Sequence, residues 1–274
     1  MSELRARRYT EVGTADEIEL PAGDVTEGVV RIGDTVRRPH QPQSFAVAAY
    51  LDHLEHVGFD ASPRYLGLDA AGRDVLTFMA GDVAGDPPEA WALTDALLAS
   101  VARLVKRLHE ASAGYDPVDE PFPTRPGPSD DIELVTHMDV TPQNVVVRDG
   151  QAIGLIDFDL ARPSTRFLDS LNTAMHWVPL RDPIDLRRGS EHLDQFARLR
   201  IFADAYGWTV DQRRTLPKFA ADGAGASWSR MKERAAELGG GWARMWDEGV
   251  GDVILRRRDW LLVNQRRLLD ALLS

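Results

Sequence analysis

The sequence predicts an α+β chain built in two lobes, and three observations carry that expectation. Residues 1–80 alternate short β-rich runs with turn residues and hold a single helical period. Residues 81–274 are dominated by helical periodicity. Inside that helical part, residues 145–156 form two β-rich runs around an Asp-Gly pair, a strong hairpin signal. A chain of 274 residues is long for one core and ample for two lobes sharing a cleft, here expected as 1–80 and 81–274.

In chain order, residues 17–20 are a candidate strand, followed by a polar loop from Pro21 to Gly28. Residues 29–32 and 35–38 flank Gly33-Asp34, a two-residue hairpin turn. Ser44 is placed to cap a helix in which Val47, Leu51, Leu54 and Val57 recur at helical spacing, with Gly58 at its end. A second hairpin joins residues 64–68 to 74–79 around Ala70-Ala71-Gly72. Residues 81–88 are loop and mark the lobe boundary.

The clearest helix covers about residues 94–113, where Leu97, Leu98, Val101, Leu104, Val105 and Leu108 make one apolar face before Gly114. Residues 115–130 are rich in proline and acid and read as loop. From residue 165 onward the chain is mainly helical, with six of the seven tryptophans and a glycine break at residues 239–241.

Composition narrows the function. Charged residues make up 27% and hydrophobic residues 43%, an ordinary globular balance. The net charge of -11 opposes a nucleic-acid footprint, which is basic, and suits a cationic small substrate. The absence of cysteine excludes disulfides, thiol nucleophiles and thiolate metal sites. No stretch has the length of a membrane span and the first residues lack the apolar run of a signal peptide, so a cytoplasmic protein with no membrane partner is expected.

The chemistry concentrates in residues 137–159. Phosphoryl transfer of the kinase type needs an Asp beside the accepting hydroxyl, an Asn on metal and a second Asp on metal. The kinase loop H-R-D-x-x-x-x-N and its D-F-G partner are matched by His137-Met138-Asp139, Asn144 and Asp157-Phe158-Asp159. With Asp149 and Gly150 as turn residues, Asn144 faces Leu155, and alternation puts Asp157 on the face of Asn144 and diagonal to it. Diagonal residues lie roughly 7–8 Å apart, a gap that Mg²⁺, with oxygen ligands at about 2.0–2.1 Å, spans. Asp139 then meets the hydroxyl from a turn stiffened by Pro142. His137 reads as a brace for the loop rather than a proton carrier, and Asp159 as either a second metal ligand or a loop-bracing acid.

These residues, with Ile156 through Ala161, resemble the aminoglycoside phosphotransferase-like small-molecule kinases, whose fold is protein-kinase-like. Supporting segments are Thr35-Val36-Arg37-Arg38-Pro39, Leu76-Thr77-Phe78-Met79 and Arg166-Phe167-Leu168-Asp169. The resemblance implies a small, mostly antiparallel N-lobe with one helix and a larger helical C-lobe. It implies Asp139 as catalytic base, Asn144 and Asp157 as Mg²⁺ ligands, and ATP or GTP held by backbone groups of Phe78, Met79 and Ala80. Asp169 takes the place of the family's loop-steadying acid.

Three departures stand out. Arg37, with Arg38 beside it, occupies the place of the phosphate-binding Lys, although both arginines also read as surface charges on an edge strand. Val47 stands where the Lys partner Glu is expected, and Glu55 lies two turns later. No G-x-G-x-x-G occurs, and Gly23 and Gly28 are a sparse substitute. Arg binds phosphate as a fork where Lys is a point charge, so the exchange is not neutral.

The resemblance implies an acceptor bearing a hydroxyl, with a polycationic aminoglycoside one candidate and another metabolite or antibiotic the alternative. His176 and Trp177, the acids Asp204, Asp247, Glu248 and Asp259, and Trp242, Trp246 and Trp260 are candidate lining for its pocket. A kinase fold that has lost catalysis and only binds is the rival of another class.

Overall fold

The computed structural model describes residues 3–10, 16–20, 28–117, 122 and 132–274. The loop over residues 21–27 and most of the proline-rich segment after residue 117 lie outside the described residues.

After a short helix α1 (Glu3–Ala6), five strands form one antiparallel sheet. They are β1 (Glu17–Glu19), β2 (Val30–Ile32), β3 (Thr35–Arg38), β4 (Tyr65–Leu68) and β5 (Asp74–Thr77), in spatial order β1-β2-β3-β5-β4. The β2–β3 pairing sets Ile32 against Thr35 across Gly33-Asp34, as the turn chemistry predicts. β3 is hydrogen-bonded on both sides, by β2 and β5, so its arginines are not on an edge strand.

Helix α2 (Ser44–His56) crosses between the hairpins and buries Val47, Leu51 and Leu54. Ser44 is its first helical residue rather than its cap. The Ser44 hydroxyl donates to Asp74 at 2.5 Å, and the true N-cap, Gln43, makes no side-chain cap bond.

Helix α3 (Asp95–Ala111) is capped by Thr94, whose hydroxyl accepts from Leu97 N–H, and all six of its predicted apolar positions are buried. Burying each such side chain contributes about 1.5–3 kcal/mol over leaving it exposed, so this helix anchors the core. It packs on the strand Gln151–Leu155 and on helix α5 (Gln195–Tyr206).

The central segment forms β6 (Leu134–Thr136), β7 (Val145–Arg148), β8 (Gln151–Leu155) and β9 (Arg162–Ser164). β7 and β8 make the predicted hairpin, and β6 pairs with β9, a ladder the sequence did not announce. Helices α4 (Arg166–Trp177), α6 (Val210–Leu238), α7 (Gly240–Asp247), α8 (Val250–Val263) and α9 (Gln265–Leu273) complete the chain. Gly239, at φ 63°, separates α6 from α7 at the expected glycine break. Among the described residues no helix is long and apolar enough to cross a membrane.

Between the sheet and the helices, Asp82 pairs with Val147 through two backbone hydrogen bonds of 2.8 Å. The link leaving the first sheet is thereby tied to the β7–β8 hairpin. Gly81 permits this approach, because a Cβ there would lie 2.6 Å from Val146 Cγ1 and 2.7 Å from Val147 O. Gly81→Ala is expected to destabilise the protein by about 1–3 kcal/mol through overpacking, read as a lower urea midpoint at unchanged m. An unaltered midpoint would show that the tie yields freely.

Candidate active site

The loop that carries Asp139 is held from below by a buried polar network. Asp169, on the first turn of α4, is fully buried and accepts from Met138 N–H at 2.8 Å. Its other carboxylate oxygen meets His109 Nε2 at 2.8 Å, and His109 Nδ1 meets the Tyr206 hydroxyl at 2.7 Å. Burial by itself would raise the Asp169 carboxyl, but the His109 hydrogen bond and the Met138 N–H hold it below the usual carboxylate range. Asn172 donates to Met138 O and Trp177 Nε1 to Val140 O, both at 2.9 Å.

Met138, at φ 62°, is a non-glycine residue in the left-handed region. Such strain persists only where its surroundings over-determine it, and these bonds on either side of Asp139 do so. Met138 and Val140 are buried, whereas Asp139 between them keeps access to solvent.

His137 is the brace the sequence suggested. It is buried, its Nε2 lies 3.0 Å from Ile156 O, and its Nδ1 accepts from Asp139 N–H at 3.3 Å. This network assigns a neutral ring protonated at Nε2, and burial lowers the pKa to match. The ring packs on Phe158 at 4.4 Å.

Asn144 closes the 3-10 turn of residues Pro142–Asn144 and turns its amide nitrogen to Asp139, with 2.9 Å to both the backbone oxygen and Oδ2. Its side-chain carbonyl oxygen accepts no hydrogen bond from a described residue. The register differs from the expectation. Arg148 faces Gln151 and Val147 faces Ala152, but Val146 then faces Gly154 and Val145 faces Leu155. Ile153 is thus a bulge, and Asn144 lies opposite Ile156, whose N–H donates to Asn144 O at 3.0 Å.

Gly154, next to the bulge, lets Met79 pack closely, since a Cβ there would sit 2.2 Å from Met79 Cε. Pleat alternation therefore does not relate Asn144 to Asp157. Asn144 acts from a turn, and Asp157 leaves the strand at φ 61°, ψ 69°. The backbone bond through Ile156 keeps the two adjacent.

Strand β3 decides which arginine faces this site. Arg37 is buried on the far side, with its guanidinium 2.5 Å from Thr35 Oγ1, 3.7 Å from Asp69 and 4.8 Å from the Tyr9 ring centroid. Arg38, one residue on and therefore on the opposite face, reaches Asp157 at 3.4 Å and forms a short ion pair with Asp159. Burial would lower the Arg38 guanidinium, but Asp159 and Asp157 outweigh it and raise it above its ordinary value. The assignment made to Arg37 thus does not match its placement, and Arg38 is the cation at the cleft. Glu55 pairs with Arg64 at 3.2 Å and takes no part.

Of the expected adenine-binding run, Phe78 N–H is committed to Asp34 O at 2.8 Å and Ala80 O accepts from Arg148 at 2.5 Å. Met79 makes no backbone hydrogen bond to a described residue and retains both groups.

The expected acidic acceptor pocket does not form from the named residues. Asp204 pairs with Arg213 at 2.7 Å and Arg200 at 3.3 Å, and Asp259 pairs with Arg258 at 2.8 Å. Trp260 stacks on Phe196, Trp246 packs on Trp228, and Trp177 braces Val140. His176 instead sits among Arg181, Arg187 and Arg257, a basic group that sequence reasoning missed. Burial and then those three guanidinium groups push the His176 pKa down to about 3.

Two measurements test these electrostatics. Asp169→Ala would leave Met138 N–H and His109 without their partner in the core, and a loss of about 3–5 kcal/mol in unfolding free energy is expected. A loss below 1 kcal/mol would show that the loop holds itself. The second concerns pH. His137 and His176 take up a proton in the unfolded chain at about pH 6.5 but not in the folded protein, so their neutral state favours folding fully above that pH. Stability should fall as pH drops below about 6.5, down to about 3 for His176. His176→Gln should remove close to one proton from the uptake on unfolding in that window, and an unchanged pH slope would contradict the assignment.

Comparison with known proteins identifies the family and the fold. The sequence profile of the phosphotransferase enzyme family matches residues 123–202. The trifolitoxin immunity protein of Rhizobium leguminosarum bv. trifolii is 30% identical over 209 residues, 72% of this chain and 77% of that protein. The fold is similar to a choline/ethanolamine kinase family protein from Mesorhizobium loti, with TM-score 0.60 at 15% identity over 94% of this chain and 92% of that one. It is also similar to aminoglycoside 2'-phosphotransferase-IIIa in its GDP complex, with TM-score 0.62 at 14% identity over 91% of this chain and 94% of that one. The chain, two-lobed in architecture, belongs to the phosphotransferase enzyme family.

Proposed function

We propose that the protein transfers the γ-phosphoryl group of a nucleoside triphosphate to a hydroxyl of a small molecule. The observation that carries this reading is the pairing of Asn144 Nδ2 with Asp139 Oδ2 at 2.9 Å on a loop whose backbone is held in a strained conformation. That bond orients the Asp139 carboxylate while the residue stays open to the cleft. The first lobe, 1–80, would hold the nucleotide, with adenine against the free backbone groups of Met79, and the second, 81–274, the acceptor.

In the transfer, the acceptor oxygen bonds to the γ-phosphorus, the bond from that phosphorus to the nucleoside diphosphate oxygen breaks, and the hydroxyl proton passes to Asp139. Asp139 also fixes the direction of attack. Arg38 lies where phosphate charge would build up. Asp157 and the side-chain oxygen of Asn144 are hard oxygen donors and suit Mg²⁺, with Asp159 next to them. Bound there, the ion would neutralise developing phosphate charge. The relation to an immunity protein supports a role in protection against an antimicrobial compound.

One observation favours a second reading, a kinase fold that binds without catalysis. Arg38 already spans Asp157 and Asp159, and a cation there competes with metal. A thermal-shift titration with ATP, with and without Mg²⁺, separates the two. The phosphotransferase reading expects stabilisation that requires Mg²⁺, and it expects Asp139→Ala to lower transfer by about 10²–10⁴-fold while keeping that shift. No response to millimolar Mg-ATP, or equal loss of transfer and binding in Asp139→Ala, would sink it.

A further inference from the structure

The basic group beside the catalytic loop has too little counter-charge. Of the two acids near it, Asp185 is taken by Arg256 in a bidentate pair of 2.8 and 2.5 Å, and Asp86 forms a short ion pair with Arg187. The Nε of Arg181 and of Arg257 is buried without a hydrogen-bond partner, as are those of Arg37, Arg38 and Arg198. Those three have an acid within ion-pair reach, whereas Arg181 and Arg257 make no salt bridge with a described residue. Buried charges in proteins are ordinarily paired, as Arg198 is here with Asp95, Leu93 O and Trp177 O. Burial, and then the neighbouring arginine, lowers both guanidinium groups, Arg257 to about 9. His176 completes the group, and His176, Arg181 and Arg257 all keep some surface open to solvent. A ligand can therefore reach them.

Two chain connections run from the group to the loop that carries Asp139. His176 precedes Trp177, whose indole holds Val140 O, one residue past Asp139. Asp86 follows Gly85, whose carbonyl accepts from Gln143 of the same loop at 2.8 Å. The walls of the basic group are thus each one residue from a direct bond to the catalytic loop.

Resting on the phosphotransferase reading, we propose that Arg181, Arg187 and Arg257, with His176, bind an anionic group of the acceptor, a carboxylate, sulfate or phosphate. The acceptor class is then an anionic alcohol. A polycationic aminoglycoside would bring like charge against two arginines that lack partners, and is disfavoured.

The test is a titration of nucleotide-free protein with sodium sulfate, and separately with sodium glycerate as a carboxylate source, at ionic strength held constant with sodium chloride. Thermal shift and calorimetry read the binding. Saturable stabilisation of the wild type by sulfate or glycerate is expected, retained in Arg38→Ala and weakened at least ~10-fold in Arg181→Gln and Arg257→Gln, the loss of one charge-assisted contact. Kanamycin should give no such shift. No saturable effect of either anion on the wild type, or an effect on both glutamine variants as strong as on the wild type, would overturn the proposal. So would kanamycin phosphorylation weakened by neither glutamine variant. Anion binding lost in those variants without any response to Mg-ATP would keep the anion site and remove the phosphotransferase reading, so the two fail separately.

Discussion

The carboxylate of Asp169 is the constraint on which the site depends. It is charged, fully buried and satisfied from three elements at once: the loop through Met138 N–H, helix α3 through His109, and α5 through Tyr206 behind that histidine. A buried charge is tolerable only when its hydrogen bonds are complete. Completion here requires Met138 to sit in the left-handed region and so determines where Asp139 points. The strain at Met138 and the rigidity of α3 and α5 are two ends of one network. Catalytic geometry is thereby transferred from helices that form for reasons of apolar burial alone.

Across the cleft a second electrostatic arrangement replaces the Lys–Glu pair. Arg38 reaches directly to Asp157 and Asp159, so the small sheet and the turn that follows β8 are joined by an ion pair and not by a helix-borne acid. The overall charge of -11 says little about either side of the site. Locally, acids gather under Arg38, and an excess of guanidinium groups gathers beside the catalytic loop. The Debye length of about 8 Å at physiological salt makes these local arrangements, and not the total, what a ligand meets.

Much of this was legible in the residues. Apolar spacing located α2 and α3, Gly33-Asp34 and Asp149-Gly150 located two hairpins, and the spacing of Asp139, Asn144 and Asp157 singled out the candidate site. The failures have physical causes. The bulge at Ile153 lies beside Gly154, over which Met79 packs, a contact between residues far apart in sequence. Arg37 and Arg38 were placed together because a motif position does not say which face of a strand a side chain takes. Of the tryptophans and acids expected in a pocket, Trp177 and Trp260 are core and Asp204 and Asp259 form surface pairs, as helical spacing more often means. Trp242 and Trp246 are half-buried, and Asp247 and Glu248 are exposed. His109, Tyr206 and the basic group gave no local signal, because their partners lie 60 to 97 residues away or across helices.

Residues read in order were enough for the class of fold and for naming candidate reacting groups, because periodicity and turn chemistry are local and phosphoryl transfer demands a short, ordered set of side chains. The tertiary structure alone decided the orientation of that set. It chose Arg38 over Arg37, shifted the hairpin by one residue, and gathered Arg181, Arg187 and Arg257 without enough counter-charge. Each of these depends on burial and on charges brought together by folding. Such energies belong to pairs distant along the chain, and no stretch of residues contains them.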